Sequence, residues 1–170
     1  MIIDTLEELF PELLSTVSYG ECTLEVPTDQ LLKVAQMLKD HPLCAFEQLI
    51  DLCGVDYLHY GVSEWDTVSA TAKGYGRAQA AEPLNMTWNN ERFAVVVHLS
   101  SIKKRQRLRL RIHLKHDDLF IESLTSIWPS VSWYEREAYD LFGIIFKGHP
   151  DLRRILTDYG FVGYPFRKDF

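Results

Sequence analysis

The chain has 170 residues, of which 46% are apolar and 25% are charged, the ordinary composition of a globular domain. With 24 Asp and Glu against 18 Lys and Arg, its net charge is −6, and this acidic balance argues against a dedicated nucleic-acid-binding protein. No apolar run approaches the ~18–20 residues of a membrane span, so we expect a soluble or peripheral protein with one domain, alone or followed by an extended tail. The acidic start, residues 1–8, predicts neither a secretory signal nor a transit peptide.

The first third of the chain alternates helix and strand patterns. Helical spacing predicts a helix over 5–14, which Pro11 splits or kinks. Alternating polar and apolar residues predict a strand over 21–26, and a single apolar stripe predicts a second helix over about 29–40. The stretch 46–57 begins as a helical turn or strand and continues as an apolar strand.

The middle of the chain contains the strongest strand patterns. Residues 63–91 have no sustained period and are interpreted as an extended hairpin loop or an insertion. The β-branched run 93–99 and the strictly alternating run 107–114 predict two strands joined by a turn. A helix is predicted over about 117–128, because an aspartate can start it and a proline follows it.

Three cysteines, Cys22, Cys44 and Cys53, are present. Their odd number and the lack of a CxxC pair argue against a disulfide framework. They also argue against an iron–sulfur or zinc site, which normally needs four good ligands. We expect all three to be small buried side chains.

The order of these elements predicts an α+β fold, with an antiparallel or mixed sheet and helices packed on one face, followed by an extended irregular C-terminal tail. We divide the chain into a sheet domain over 1–131 and a signature helix with a partner-binding tail over 132–170. The tail is irregular but too aromatic to be disordered, and its Phe, Tyr and Arg content is typical of a protein interface.

The start of the C-terminal segment predicts a short, well-defined helix over about 133–142. Ser132 and Glu135 fit a capping box, in which each side chain accepts a hydrogen bond from the other residue's backbone amide. Arg136 and Asp140 stand four residues apart and are expected to pair on the helix surface. A glycine follows in the position of a left-handed C-terminal cap.

Three runs of this segment resemble a family signature. They are E-R-E-A-Y-D-L-F-G (135–143), H-P-D-L-R-R-I-L (149–156) and G-x-P-x-R-K-D-F (163–170). Together they are similar to the signature of the thirty-kilodalton family, also called the C-subunit family, of proton-translocating NADH:quinone oxidoreductase, respiratory complex I. The run D-x-C-G-V-D-Y (51–57) resembles the family more loosely.

The resemblance implies a non-redox structural and assembly subunit of the peripheral arm. Such a protein docks on the large quinone-pocket subunit, the forty-nine-kilodalton type or D subunit, and on neighbouring iron–sulfur subunits. It supports electron transfer from NADH to quinone coupled to proton translocation. FMN, iron–sulfur clusters and quinone would then belong to partner subunits and none to this chain. The location implied is the cytoplasmic side of the bacterial inner membrane, or the matrix side of the mitochondrial inner membrane, with membrane contact only through the complex.

Two alternatives stay open. One is the equivalent subunit of a related membrane-bound hydrogenase or formate-linked complex, and the other is a stand-alone RNA or lipid binder. We expect no catalytic, cofactor-binding or metal-binding residue in this chain. The signature residues expected at the partner interface are Glu135, Arg136, Glu137, Asp140, Phe142, Gly143, His149, Pro150, Asp151, Arg153, Arg154, Gly163, Pro165, Arg167, Lys168 and Asp169.

Several groups in this segment could carry chemistry, and for each we favour a structural role. Glu135 and Glu137 could form a paired-carboxylate acid–base site, but structural or interface pairing is preferred. Arg153 and Arg154 could hold a phosphate or carboxylate, but ion pairs to the E-R-E helix or to a partner are preferred. His149 precedes a proline in a loop and is expected to make a structural hydrogen bond rather than to transfer protons.

Two further groups lie in the predicted sheet. His113 and His116, with Asp117, could suggest a metal site, but residues three apart on a strand point to opposite faces. The one basic concentration could face anionic lipid headgroups or RNA, but no aromatic residues are interleaved with it, and we expect a solvated or partner-facing side of the sheet. It comprises Lys103, Lys104, Arg105, Arg107, Arg109 and Arg111.

Overall fold

The structure is a computed structural model and describes residues 2–58, 60, 70–71, 74–75 and 91–170. Within these ranges the helices are α1 (Ile2–Leu9), α2 (Leu31–Asp40) and α3 (Ser132–Phe142). The strands are β1 (Ser15–Ser18), β2 (Glu21–Glu25), β3 (Gln48–Asp56), β4 (Ala70–Thr71), β5 (Gly74–Tyr75), β6 (Phe93–Ser101), β7 (Gln106–Leu114), β8 (Phe120–Glu122) and β9 (Ile145–Lys147). Short 3₁₀ turns at Thr28–Gln30 and Pro129–Val131 lead into α2 and α3.

The main sheet has five strands in the order β1-β2-β7-β6-β3. Strands β2 and β7 pair in parallel, and the other three pairings are antiparallel. The sheet is therefore mixed, and the predicted α+β fold is confirmed. Its centre is the β6–β7 hairpin, which pairs without interruption from Phe93↔Leu114 to Ser101↔Gln106.

The apolar alternation of β7 determines which side of the sheet is buried. Leu108, Leu110, Ile112 and Leu114 are buried in the core, while the alternating Arg and His residues are not. The apolar stripes of α2 and α3 belong to the same continuous core. The tail that follows α3 therefore begins directly on this core.

The predicted helix over 117–128 is wrong. Residues Phe120–Glu122 form β8, which pairs in parallel with Ile145–Lys147. Burial alternates along β8, with only Ile121 buried, and this period of two suits a strand. The partner strand lies far away in the sequence, so its contribution could not be read from the local pattern.

The first helix is shorter than predicted, because it ends at Leu9 before Pro11. Residues Ser15–Ser18 form β1, a strand that the sequence did not predict because none of its residues is buried and no apolar alternation marks it. Pairing with β2 supplies its hydrogen bonds.

Most of the 63–91 segment, interpreted as a hairpin loop or an insertion, lies outside the described residues. The described part is an antiparallel pairing of Ala70–Thr71 with Gly74–Tyr75. Of the three cysteines, Cys22 and Cys44 are buried as expected, and burial raises the pKa of both thiols. Cys53 is exposed on β3, so the expectation was wrong for that residue. None of the described helices has the length and apolar character needed to cross a membrane.

Candidate functional site

The start of α3 is not a capping box. Ser132 already has helical backbone angles (φ −51°, ψ −40°), because the preceding 3₁₀ turn runs straight into the helix. An N-cap side chain needs an extended backbone, so Ser132 cannot cap the helix. Its hydroxyl lies 3.0 Å from His149 Nε2 instead.

Glu135 has a different partner from the one predicted. Its side chain is completely buried, where Oε2 accepts from the Ser123 hydroxyl and Oε1 accepts from the Leu124 amide, both at 2.7 Å. Burial raises the pKa of Glu135 to about 7, although these two hydrogen bonds act in the opposite direction. The carboxyl group therefore ties the loop after β8 to α3.

Asp140 is the second completely buried carboxyl group of α3, and it organises the tail. Its Oδ2 accepts from the amides of Ile155, Leu156 and Thr157 at 3.0, 2.7 and 2.8 Å. Its Oδ1 accepts from Arg154 Nη1 at 2.9 Å and from the Thr157 hydroxyl at 2.5 Å. Burial alone would raise the pKa of Asp140, but these hydrogen bonds hold it well below the usual range.

The predicted surface pair between Arg136 and Asp140 is therefore wrong. Arg136 donates to the backbone carbonyls of Arg153 and Arg154, both at 3.1 Å. An exposed i,i+4 ion pair is worth only about 0.3–0.5 kcal/mol, so tail contacts that satisfy buried groups replace it. Arg154 pairs with the helix as expected, whereas Arg153 pairs with Asp151 at 2.9 Å.

His149 makes structural hydrogen bonds, as predicted. Its Nδ1 accepts from the Asp151 amide at 3.0 Å, so the hydrogen of the neutral ring lies on Nε2, which faces the hydroxyl and the carbonyl oxygen of Ser132. The first turn of α3 is thereby fixed to the beginning of the tail.

The last residues of the tail return to the body of the domain. Lys168 donates its amide to Asp56 Oδ2 at 2.8 Å, and Arg167 Nε donates to the carbonyl of Phe142 at 2.7 Å. Arg92 pairs with Asp56 at 2.7 Å and with Asp169 at 2.6 Å. The Arg92 guanidinium lowers the pKa of Asp169 to about 2.

Two arginine side chains of the tail lie over aromatic rings. Arg167 lies over Phe93 and Tyr164, with 5.3 and 4.4 Å from its guanidinium carbon to the ring centroids. Arg154 lies over Tyr164 and Phe161 at 5.3 and 5.9 Å. Cation–π contacts of this kind are worth about 0.5–1 kcal/mol at exposed sites, so they add to the anchoring by Asp140.

The glycine of the predicted left-handed cap also allows tail side chains to pack closely against the end of α3. Gly143 has φ +78°, and a Cβ there would lie 2.6 Å from Arg167 and 2.7 Å from Tyr164. Gly163 has φ +101°, and a Cβ there would lie 2.7 Å from Phe170. A side chain at Gly143 would therefore collide with the tail, and one at Gly163 would collide with the tail's own last residue.

Although its backbone is anchored, the tail exposes large apolar side chains. We call these residues the tail surface: Leu156, Tyr159, Val162, Phe166 and Phe170. Tyr159 is 92% and Val162 88% exposed, so the anchoring contacts hold the backbone while leaving these side chains free to meet a partner.

The basic row divides into two parts. Arg109 pairs with Glu21 and Arg111 pairs with Glu25, in both cases across the parallel β2–β7 pairing. The four cations nearer the β6–β7 turn are more exposed.

The two histidines considered as metal ligands do not converge. His113 Nε2 lies 3.4 Å from Glu25, whereas the ring of His116 stacks on Phe93. Among the residues that the structure describes, no group of three or more His, Cys, Asp or Glu side chains could hold a metal ion.

The sequence patterns did not predict the residues that bind the signature side chains. Asp56 and Arg92 hold the end of the tail, Ser123 meets Glu135, and Thr157 meets Asp140. Asp56 lies in the loosely similar run 51–57, which was the only available signal. The other three lie outside any recognised motif or carry no local pattern, because their contacts join distant parts of the chain.

Fold and site together define the class: a mixed-sheet α+β domain with an ordered, non-repetitive tail fixed to its last helix. The family profile described as "Respiratory-chain NADH dehydrogenase, 30 Kd subunit" matches residues 24–170. The C subunit of NADH-quinone oxidoreductase from Legionella pneumophila (strain Philadelphia 1) is 53% identical over 156 residues, covering 91% of this chain and 69% of that protein. The same subunit of Xylella fastidiosa (strain 9a5c) is 47% identical over 189 residues, covering 99% of this chain and 75% of that protein. The chain belongs to this family of respiratory-chain NADH dehydrogenase subunits.

Two solved structures are similar. A trypsin-resistant fragment (1-134) of Nqo5 is 26% identical with a TM-score of 0.66, covering 89% of this chain and 98% of the fragment. A chain of a membrane-bound sulfane sulfur reductase, an archaeal respiratory membrane complex, is 20% identical with a TM-score of 0.68. The match covers 99% of the present chain and 83% of the reductase chain. The second likeness extends to the fold alone.

Proposed function

We propose that this chain is a non-redox structural subunit of the peripheral arm of NADH-quinone oxidoreductase, respiratory complex I. The observation that carries the proposal is 47–53% identity to the C subunit of that enzyme over most of the chain. The chain then contributes to an enzyme complex without holding a reaction centre of its own. The alternative, a subunit of a hydrogenase or formate-linked complex, is weaker because the most similar relatives named above belong to the NADH enzyme.

Its partners in this proposal are the large quinone-pocket subunit, of the forty-nine-kilodalton type, and neighbouring iron–sulfur subunits. FMN, the iron–sulfur clusters and quinone belong to those partners. The assembly lies on the cytoplasmic side of a bacterial inner membrane, and the chain meets the membrane only through the complex.

The sheet domain over 1–131 acts as the scaffold, and the segment over 132–170 makes the main partner contact. Within that segment the signature residues and the tail surface, which have no residue in common, have different roles. Asp140, Arg154 and Arg167 hold the tail in shape, and the tail surface meets the large quinone-pocket subunit. Support comes from the exposure of Tyr159 and Val162, which lie between two anchored points of the backbone. Asp140 binds the amide of Thr157 before them, and Arg154 binds the carbonyl of Gly163 after them. Aromatic side chains presented on a rigid backbone are typical of strong protein contacts.

The test replaces the cell's own subunit with Tyr159→Ser/Val162→Ser. The matched control is Tyr19→Ser/Val17→Ser, which removes the same two residue types from exposed positions at the opposite edge of the sheet. Assembly is followed by native gel electrophoresis of membranes and by NADH:quinone activity. The tail-surface variant should fold normally but lose assembly, while the control should assemble. Equal assembly of both variants would remove the tail surface from the proposal.

A further inference from the structure

The turn that joins β6 to β7 carries a concentrated positive charge. Four exposed cations, here called the basic tip, lie within five positions of a chain whose net charge is −6. The basic tip comprises Lys103, Lys104, Arg105 and Arg107. Cations make up only 18 of the 170 residues, so this is a local reversal of the overall charge.

The charge of the basic tip is largely uncompensated within the chain. Lys103 is 75% exposed and its Nζ lies 3.9 Å from Glu47, which is a weak contact. No carboxylate pairs with Lys104, Arg105 or Arg107 among the residues that the structure describes. Further along the same strand, by contrast, Arg109 has an ion pair with an acidic residue of β2.

The backbone of the turn does not favour the residue that it holds. Arg105 has φ +53°, in the left-handed region that glycine or asparagine adopts at lower cost. A glycine at this position would make the turn more stable. An arginine in an unfavourable conformation that makes no ion pair within the described part of the chain points to a use outside it.

The basic tip and the tail lie at opposite ends of β6. The tail contacts Arg92 and Phe93, where β6 begins, whereas the basic tip follows Ser101, where it ends. Nine residues of strand at ~3.3 Å each separate the two ends by roughly 30 Å. A partner that contacts the basic tip therefore makes a contact distinct from tail docking.

The surface beside the basic tip favours a protein as the partner. Ile102, which directly precedes the cations, is 63% exposed. A groove of about 270 Å³ opens beside Arg107 of the basic tip, and its lining includes His98 and Ile50. Exposed isoleucines in the turn (Ile102) and in the groove (Ile50) suit the side chains of a folded partner. The net charge of −6 disfavours approach to extended polyanions such as RNA or an anionic membrane.

We propose that the basic tip docks on an acidic surface of another protein subunit of the same complex. This rests on the proposed function, because it takes the complex as the setting, but it concerns a second surface far from the tail. Opposite charges across the contact set its orientation and make it sensitive to salt.

The experiment uses membranes from cells in which variants replace the subunit. They are washed with NaCl from about 0.05 to about 0.5 M, and the retained chain is measured by immunoblot. Lys104→Gln/Arg107→Gln should be released at roughly half the NaCl concentration that releases the wild type. The control Lys33→Gln/Lys115→Gln, which removes two exposed cations elsewhere, should behave like the wild type.

Arg105 provides a second pair of variants. Arg105→Gly should raise the melting temperature of the full chain because it relieves the left-handed arginine, yet it should weaken retention in the membranes. Arg105→Lys should keep wild-type retention because it keeps the charge. A purely structural role for the turn predicts the reverse, with better retention of the more stable glycine variant.

Three outcomes contradict the inference. Retention of Lys104→Gln/Arg107→Gln equal to that of the wild type overturns it directly. Flotation of the full chain with phosphatidylserine vesicles, lost in that variant, would assign the basic tip to lipid instead. Absence of the wild-type chain from the complex would overturn the proposed function together with this inference, and it is recognised because wild type, variant and control are then absent alike.

Discussion

Replacing the buried carboxylate of Asp140 with the amide of Asn should release the tail. One carboxylate oxygen of Asp140 accepts from three backbone amides, and the other accepts from Arg154 and the hydroxyl of Thr157. An asparagine must place its NH₂ group against one of these sets. In one orientation it faces three N–H donors, and in the other it faces the Arg154 guanidinium, so donor meets donor either way.

The size of the effect follows from burial. Removing one partner of a buried ion pair costs about 3–5 kcal/mol. The Arg154 side chain is 21% exposed, so water recovers part of that loss. We expect Asp140→Asn to lower the free energy of unfolding by about 3 kcal/mol, with the change concentrated in the tail.

Two measurements of the full chain test this expectation. Urea unfolding gives the total loss of stability, and hydrogen exchange locates it, since the amides of Ile155, Leu156 and Thr157 should lose protection while those of β6 keep theirs. Glu137→Gln, on the exposed side of the same helix, is the control and should change stability by less than about 0.5 kcal/mol. Retained protection of these three amides in Asp140→Asn would refute the anchoring role.

The pKa of Glu135 rises from about 4.5 to about 7 on folding, so the wild type should lose about 3 kcal/mol of stability relative to Glu135→Gln as the pH rises from 4.5 to 7. Urea unfolding at a series of pH values measures this loss. Stabilities of the two proteins that change in parallel with pH would contradict it. Gly54→Ala would place a Cβ 2.6 Å from the ring of Phe142 and should lower the free energy of unfolding by about 1–3 kcal/mol. In a double-mutant cycle, Phe142→Leu should recover part of this loss, and additive effects of the two substitutions would exclude the clash. Arg92 lowers the pKa of Asp169 to about 2, so their pairing is present at pH ~4 and above and is lost as the pH falls through about 2. NMR shifts of the last three residues should titrate with this low midpoint, and in Arg92→Gln the midpoint should rise toward the ordinary aspartate value of about 4. An unchanged midpoint in the variant would contradict the pairing.

The helices and strands with a local repeat could be predicted from the sequence. The alternation of 107–114 and the stripe of 29–40 each encode a buried face, and both became the expected element. Strands β1 and β8 could not be predicted, because their existence depends on pairing with residues that supply the missing hydrogen bonds.

The acidic residues of α3 show a second limit of local patterns. Glu135 fits a capping box and Asp140 fits an i,i+4 pair, yet both are buried and bind groups from other segments. A signal was available for Glu135, since it shares a helical stripe with Ala138 and Phe142, which are buried. The partners themselves are distant in sequence, so only the assembled fold brings them together.

One purification tests most directly whether this chain works as a subunit of NADH-quinone oxidoreductase. The tagged full chain is purified from the membranes of its own cells, and NADH:quinone activity is measured in the eluate. We expect the activity to co-purify with the chain in constant proportion, and the isolated chain alone to bring neither flavin nor iron–sulfur absorption. A chain that purifies from these membranes without any NADH dehydrogenase activity would contradict the account.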